Sequence, residues 1–506
     1  MGVSFPVAMT ALYAVLLGIA VFHHEIGYEE GQAWLIARGS SSIANLFHNI
    51  RYEGHPSLWY LLIYVPAHIS WNPASMQAIN YVLAIGEAGL ILTESRLSRS
   101  MRSLLVFSYF VFFGYGVLAR NYMLTVFLLT AAARCLLQQR KRPWLAILLL
   151  ALACNSHFFA IPLAAMLFVS LYCFPEPGSW RRPATLLRQE QFWASAAVLA
   201  ASLLATYFTI RPPADSFTPH YGVEKISIGT RFLISLGSFW QAFFPVRSAY
   251  LPHRLVDLLV PTDRPLFLAL AVSVVVLFLL LAALRSARAR WFFFSCTVFE
   301  FLLFAVTVHN PRMHHLGLIF FALVLALMID AHSTVTPIEN SSLSSWLGRK
   351  TLYLSLILVM LAGAWSFVAD VRRPFSEGKE TAQWLRESGY SEYPLVAQLD
   401  YVSASLLAYL PNDKAYHPEC NCFESFVLYN TGRTDRLVMT SEQLDSVSNS
   451  ANRPVVVALT FQPDAETLDK LGLHFIKAFD HHPMDAGQHY FVYLRQLNSE
   501  SKRVGQ

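Results

Sequence analysis

Eleven apolar runs, most of them near the ~17–25 residues that a helix needs to cross a bilayer, dominate the first 370 positions. They begin with Pro6–Phe22 and recur at residues 76–94, 103–119, 122–138, 143–155, 157–174, 192–210, 266–284, 291–308, 315–330 and 351–369. Nothing else constrains the fold as strongly, because hydrocarbon admits only backbones that satisfy their own hydrogen bonds, and runs of this length do so as helices. Charge follows the same division. Only 14% of the 506 residues are charged, against about 25% in an average soluble chain. Residues 371–506 hold 30 of the 71 charged side chains, about 22% of that stretch against about 11% of residues 1–370. The expectation is an α-helical polytopic membrane domain over 1–370 and a soluble α/β domain over 371–506. A soluble enzyme, a disordered chain and a disulfide scaffold are excluded.

The first run lacks a basic leader and a small-residue cleavage site, so it reads as a retained span. Ser57–Ser70 is apolar but short, follows Pro56 and is interrupted by Pro66. It reads as an in-plane or re-entrant helix. With that segment left out, the basic loops at Arg96–Arg102, Arg140–Arg142, Arg181–Arg188, Arg285–Arg290 and Arg349–Lys350 fall on one side, and the positive-inside rule makes that side cytoplasmic. Eleven spans then put the N-terminus inside and the tail outside. The formal charge of +5 is spread through these loops and forms no continuous basic face for nucleic acid.

In the tail, 376–388, 403–410 and 463–471 read as helices, and 394–398, 454–460, 473–479 and 490–494 as strands. Cys135, Cys154, Cys173 and Cys296 sit singly in apolar runs as small hydrophobes. Cys420 and Cys422 are awkwardly spaced for a mutual disulfide, and their state stays open.

The outer loops collect the side chains capable of chemistry. The first, residues 23–75, contains YEEGQAWLIARGSSS and then YEGHPSLWYLL. Glu29 and Glu30 open a helical stretch, where the helix dipole favours acidic side chains. They are either simple helix-end charges or a general base, or a Mg²⁺ or Mn²⁺ site, where a lipid-borne substrate meets water. Adjacent positions diverge by about 100° on a helix, so one of the two faces a cavity. Arg120 is either an interfacial anchor or a bidentate phosphate ligand. Asn121 and Tyr122 either cap the next helix or bond a sugar. His157, after Asn155 and Ser156, is either a satisfied structural group or an intramembrane functional one. Arg312, His314 and His315 either form a solvated loop or hold a phosphate. Lys225, Arg231, Arg247 and Arg254, with Trp240, Phe243, Phe244 and Pro245, make either a flap over a lipid phosphate or an aromatic belt.

The two first-loop motifs resemble the first outer loop of GT-C glycosyltransferases, multi-spanning enzymes that use polyprenyl-phosphate sugar donors. The similarity continues through ARNYMLTVFLL, NSHFF and PRMHHLGLIFF into a soluble outer domain. In the relatives the acidic pair is Asp-Glu and the second motif Gly-His-Pro; here the pair is Glu29-Glu30, with a longer first side chain. The resemblance implies inverting transfer of a sugar from a polyprenyl-phosphate donor to an envelope lipid or glycan, at the outer face of a bacterial inner membrane. It implies one carboxylate of the pair as base, Glu30 being favoured because position 29 tolerates a change of length. Glu53, His55, Arg120, Asn121, Tyr122, His157, Arg312, His314 and His315 would bind substrate. Mg²⁺ or Mn²⁺ would sit at Glu29 and Glu30 if used. A lipid-glycan flippase would instead need charges at mid-bilayer depth, where only Glu87 and Glu300 qualify, and paired broken helices of an inverted repeat, which are not visible. An envelope polymerase or ligase would use the same donors. A partner-binding scaffold leaves the acidic loop unexplained.

Overall fold

The computed structural model describes residues 4–138, 142–173, 188–216, 226–245, 266–308, 311–333, 343–434, 439–485 and 487–497. The helices are α1 (Phe5–His23), α2 (Tyr28–Gly39), α3 (Ile43–Ile50), α4 (Leu58–Ile69), α5 (Ala74–Leu92), α6 (Arg99–Val106), α7 (Asn121–Leu137), α8 (Pro143–Ser156) and α9 (Ile161–Leu167). They continue as α10 (Glu190–Ile210), α11 (Ile228–Gly237), α12 (Leu266–Ala283), α13 (Ala287–Thr307), α14 (Met313–Ala331) and α15 (Leu343–Arg372). Six of these, α1, α5, α10, α13, α14 and α15, are long and apolar enough to cross a membrane. Outward-facing Phe22, Phe267, Val306 and Trp365 are more than half exposed, as befits side chains that meet lipid. The chain is a multi-pass membrane protein.

Helix α14 is the hub: its apolar window is 89% buried, against 17% for α1. Most apolar runs of the sequence coincide with helices, although 157–174 combines a 3-10 turn, α9 and a π-helical turn over Phe168–Cys173. Residues 103–119 are not one span. Helix α6 stops at Val106, a π-helical turn covers Tyr109–Gly114, and a turn leads to Arg120. Ser108 is the reason, since its hydroxyl caps the second segment by accepting from the Val111 N–H, a competition Ser side chains offer inside apolar helices. Helix α4 has 12 residues with Pro66 inside, giving a rod of about 18 Å, short of a ~30 Å hydrocarbon core.

After α15 the chain forms α16 (Gly378–Glu387), α17 (Asp400–Leu407), α18 (Ser441–Ala451) and α19 (Ala465–Leu471) around a six-stranded sheet. Its strands are β1 (Leu395–Ala397), β2 (Ala415–His417), β3 (Cys422–Glu424), β4 (Val455–Leu459), β5 (His474–Phe479) and β6 (Tyr490–Arg495), ordered β3-β2-β1-β4-β6-β5. Strand β1 pairs in parallel with β2 and β4, and the remaining pairs are antiparallel. Strands β1, β4, β5 and β6 lie on the runs read as strands from the sequence, whereas β2, β3 and α18 had no such signal. Cys420 and Cys422, whose state the spacing left open, form a disulfide. Asn421 takes a left-handed backbone (φ 55°), which folds the three residues back and brings the two Cα atoms to 5.2 Å.

This C-terminal unit grips α2. A Cβ on Gly31 would lie 2.3 Å from the Ala404 carbonyl oxygen, and one on Gly378 would lie 2.4 Å from that of Ser405. Helix α17 is thus wedged between α2 and α16 at two positions where only glycine fits. The Gln32 side chain closes the joint, donating to the Val427 carbonyl (2.8 Å) and accepting from its N–H (3.1 Å). Gly31→Ala should therefore lower the melting temperature of the purified chain, because an overlap with backbone costs about 1–3 kcal/mol and outweighs the ~1 kcal/mol helix-propensity gain. Gly229→Ala, with nothing nearer than 3.9 Å, is the control that should gain stability. Equal melting behaviour of the two variants would contradict the wedge.

Candidate active site

Three separate turns bring their side chains to the N-terminus of α2. Glu29 and Glu30 occupy its first turn, and their roles diverge as the 100° step demands. Glu30 is 2% exposed and both its oxygens are engaged. Oε1 accepts from the Ala119 N–H (2.7 Å), while Oε2 accepts from the Gly27 N–H (3.0 Å) and from His24 Nε2 (3.1 Å). His24 Nδ1 in turn donates to Asp370 (3.1 Å), near the end of α15. Two carboxylates on one ring make His24 an imidazolium: burial pulls its pKa down, but Asp370 and Glu30 pull harder and raise it to about 10. Glu30, the carboxylate favoured from sequence, thus ties α2 to the turn before α7 through both of its oxygens.

Glu29 points the other way. Its carboxylate accepts from Arg120, the N-cap residue of α7, and lies 3.5 Å from Arg312, the N-cap residue of α14. About a third of the Glu29 side chain is exposed, against 14% for Arg120 and 66% for Arg312. Burial alone would raise the Glu29 pKa, but Arg120, Arg312, His315 and His55 hold it below the ordinary carboxylate value. Tyr28 reaches Arg312 (3.4 Å) through its hydroxyl. A small cavity of about 50 Å³ is lined by Tyr28, Glu29, Glu30, Arg120, Tyr122 and His314.

Most of the other residues picked out from the sequence gather here. Arg120 lies over the Tyr122 ring at 5.4 Å. Tyr122 packs on Tyr115 (5.0 Å), His157 (4.3 Å) and His314 (5.4 Å), and His157 stands 5.7 Å from His55. His315 adjoins His314 at 4.3 Å. The Tyr115 hydroxyl donates to the His314 carbonyl at 2.6 Å, which anchors the start of α14 to the turn that carries Arg120. Glu53 accepts from Gln32 (2.8 Å). Burial raises its pKa to about 7, with Gln32 and Arg120 opposing and Glu29 reinforcing. The His55 pKa falls to about 4, through burial first and Arg120 second.

Asn121 does not face the cavity. Its amide donates to the Ser156 carbonyl (3.0 Å) and fastens α7 to the end of α8. Phe243 is fully buried against Phe293 and Phe320, a core position rather than a flap, and Arg231 donates to the Ile226 carbonyl (3.1 Å). Lys225, Arg247 and Arg254 lie outside the described residues. Glu87 and Glu300 are fully buried in α5 and α13, and Glu87 accepts from Thr130 (2.9 Å). Glu30 and Glu29 do not fit a divalent cation as a pair, because N–H donors already fill both oxygens of the first and two arginines hold the second. Sequence reasoning missed His24 and Asp370, 346 positions apart; the signal available was a histidine beside the pair and an aspartate at the end of the last span.

No family model and no curated protein sequence matches the chain. Among solved structures it is similar to ArnT from Cupriavidus metallidurans in the apo state, at 12% identity and TM-score 0.53, over 96% of this chain and 97% of that one. The same ArnT bound to undecaprenyl phosphate gives 11% identity and TM-score 0.50 over the same shares. The likeness is one of fold, and it carries the architecture implied by the motifs across nearly the whole length.

Proposed function

We propose that the protein is an inverting glycosyltransferase that moves a sugar from a polyprenyl-phosphate donor to an envelope lipid or glycan. The reading includes eleven crossings, with α2 and the C-terminal unit on the outer face of a bacterial inner membrane. One observation carries it: Glu29 is held by Arg120 and Arg312, contributed by two other turns, in a fold shared with a protein solved with undecaprenyl phosphate bound. A carboxylate that takes a proton beside two guanidiniums that take a phosphate is what this transfer needs.

In the step proposed, the Glu29 carboxylate receives the proton of the acceptor hydroxyl while its oxygen attacks the anomeric carbon. The bond from that carbon to the phosphate oxygen breaks, and its electron pair stays with the phosphate. Once Glu29 is neutral, Arg120 and Arg312 lose their counter-charge, just as the departing phosphate gains a second negative charge. Arginine suits that exchange because its donors bond phosphate oxygens bidentately. A carboxylate held below the usual range is a weak base in the resting site; the arginines' move to phosphate restores its basicity as the reaction proceeds. Our reading uses no metal step.

A second assignment, Glu53 as base, is favoured by its pKa of about 7, near the optimum for a general base at neutral pH. The pH profile of kcat/KM separates the two. A base must be ionised, so activity is lost as pH falls through its pKa. With Glu29 the acid limb lies below the ordinary carboxylate value of ~4.3, whereas with Glu53 it lies near 7. Release of free polyprenyl phosphate from donor and acceptor in detergent is the assay. A flippase needs two compartments and would leave the donor intact, which would overturn the proposal.

A further inference from the structure

Two histidines of the site are fixed in a single tautomer by their own backbone. His157 stands between α8 and the short turn that follows, and its Nδ1 lies 3.0 Å from the Phe159 N–H. His315, in the first turn of α14, places its Nδ1 3.1 Å from the Arg312 N–H. A backbone amide can only donate, so each Nδ1 is the unprotonated nitrogen, and the proton of the neutral ring sits on Nε2. His24 shows the opposite arrangement, with a carboxylate on each nitrogen.

The two rings border the same group of side chains: His157 packs on Tyr122, and His315 adjoins His314, which also faces Tyr122. His157 is 1% exposed and its Nε2 has no partner. Phe159 lies between the two rings, 5.3 Å from His157 and 5.2 Å from His315. The Tyr122 hydroxyl, against His157, is also buried without a partner. Buried donors without acceptors are rare in native proteins, and here they cluster beside Arg120. Glu29 and Glu53, the nearby acceptors, are occupied by Arg120 and Gln32. The surplus of donors calls for a ligand rich in acceptor oxygens.

We infer that His157 and His315 act as neutral, tautomer-locked donors, each giving its Nε2–H to an oxygen of the lipid phosphate that leaves in the proposed transfer. The inference rests on the transferase reading. The locked tautomer has a specific use. A sugar phosphodiester carries one negative charge, and the departing monoester gains a second. A neutral N–H adds no charge to the resting site, so its bond strengthens mainly as charge develops, which favours the transition state over the ground state. An imidazolium in either position would turn an Nδ1–H against a backbone N–H.

Asparagine and glutamine discriminate between the two nitrogens. His157→Asn and His315→Asn keep an acceptor near Nδ1 for the backbone amide but delete the Nε2 donor; the Gln variants place an amide N–H near the Nε2 position. Binding of polyprenyl phosphate to the full chain in detergent is measured, with polyprenol as the phosphate-free control and melting temperature as the check on folding. Each Asn variant should weaken polyprenyl phosphate about ten- to a hundredfold, the effect of one hydrogen bond to a charged group. The Gln variants should recover part of that loss, and polyprenol binding should not change. Asn variants that melt like the parent and bind polyprenyl phosphate equally well would overturn the inference while leaving the transferase reading intact. It is overturned in the same way if they raise only the KM for the acceptor. If the unmodified protein itself does not prefer polyprenyl phosphate to polyprenol, both fall.

Discussion

Glu29→Gln should abolish sugar transfer, by about 10²–10⁴ in kcat, the usual contribution of a positioned general base, while donor binding is retained or tightened. The amide matches the carboxylate in size but accepts no proton. It also releases Arg120 and Arg312 from their anionic partner, so both guanidiniums turn to the donor phosphate already in the ground state. A lower kcat with an unchanged or lower KM for donor is the signature. Glu30→Gln should act differently. Its amide nitrogen would face the N–H of Ala119 or of Gly27, so the loss appears first in melting temperature, with proportionate turnover in whatever protein folds. Near-normal turnover by Glu29→Gln would remove it as base and leave Glu53.

His24→Leu should be strongly destabilising, by about 3–5 kcal/mol, because it leaves two buried carboxylates without their cation. His24 is 2% exposed, Glu30 2% and Asp370 3%, so water cannot replace the lost partner. The pH dependence gives a second check. The folded pKa is about 10, above the unfolded value of ~6.5. The stabilisation is then complete below pH ~6.5 and disappears as pH rises through about 10. The parent's melting temperature should fall more steeply across that window than that of His24→Leu. Parallel slopes would mean that His24 is neutral in the folded protein and that its partners are held another way.

How much of this was legible in the sequence depended on the range of the interactions. Apolar run length located α1, α5, α7, α8, α10 and α12–α15, since burial in hydrocarbon is decided residue by residue. It failed at 103–119, where Ser108 splits a run of uninterrupted hydropathy, because a single side-chain cap does not register in a window average. The outer-loop turns were found because arginine, histidine and glutamate stand out between apolar runs. Their convergence at α2 was implied by the resemblance but could not be measured from sequence. The bonding that separates Glu29 from Glu30 could not be read from the sequence. Tolerance for side-chain length at one position said nothing about whether the other was already bonded, and the bonds that occupy Glu30 come from His24 and Ala119, the second of them 89 positions away. Strands β2 and β3 were missed because three residues each are too few to show a period.

The wedge of α17 between Gly31 and Gly378 bears on how such a chain can be recombined. The helix that presents Glu29 belongs by sequence to the membrane portion, yet its underside is shaped by the backbone of the C-terminal unit, and Gln32 bridges Glu53 on one side to Val427 on the other. A chimera that exchanges residues 371–506 at the end of α15 would therefore inherit a foreign surface beneath Glu29, and the mismatch would surface as a displaced carboxylate even if both halves folded. The modular boundary that matters for grafting runs through the first outer loop, so residues 24–55 and the C-terminal unit are better treated as one transplantable cassette.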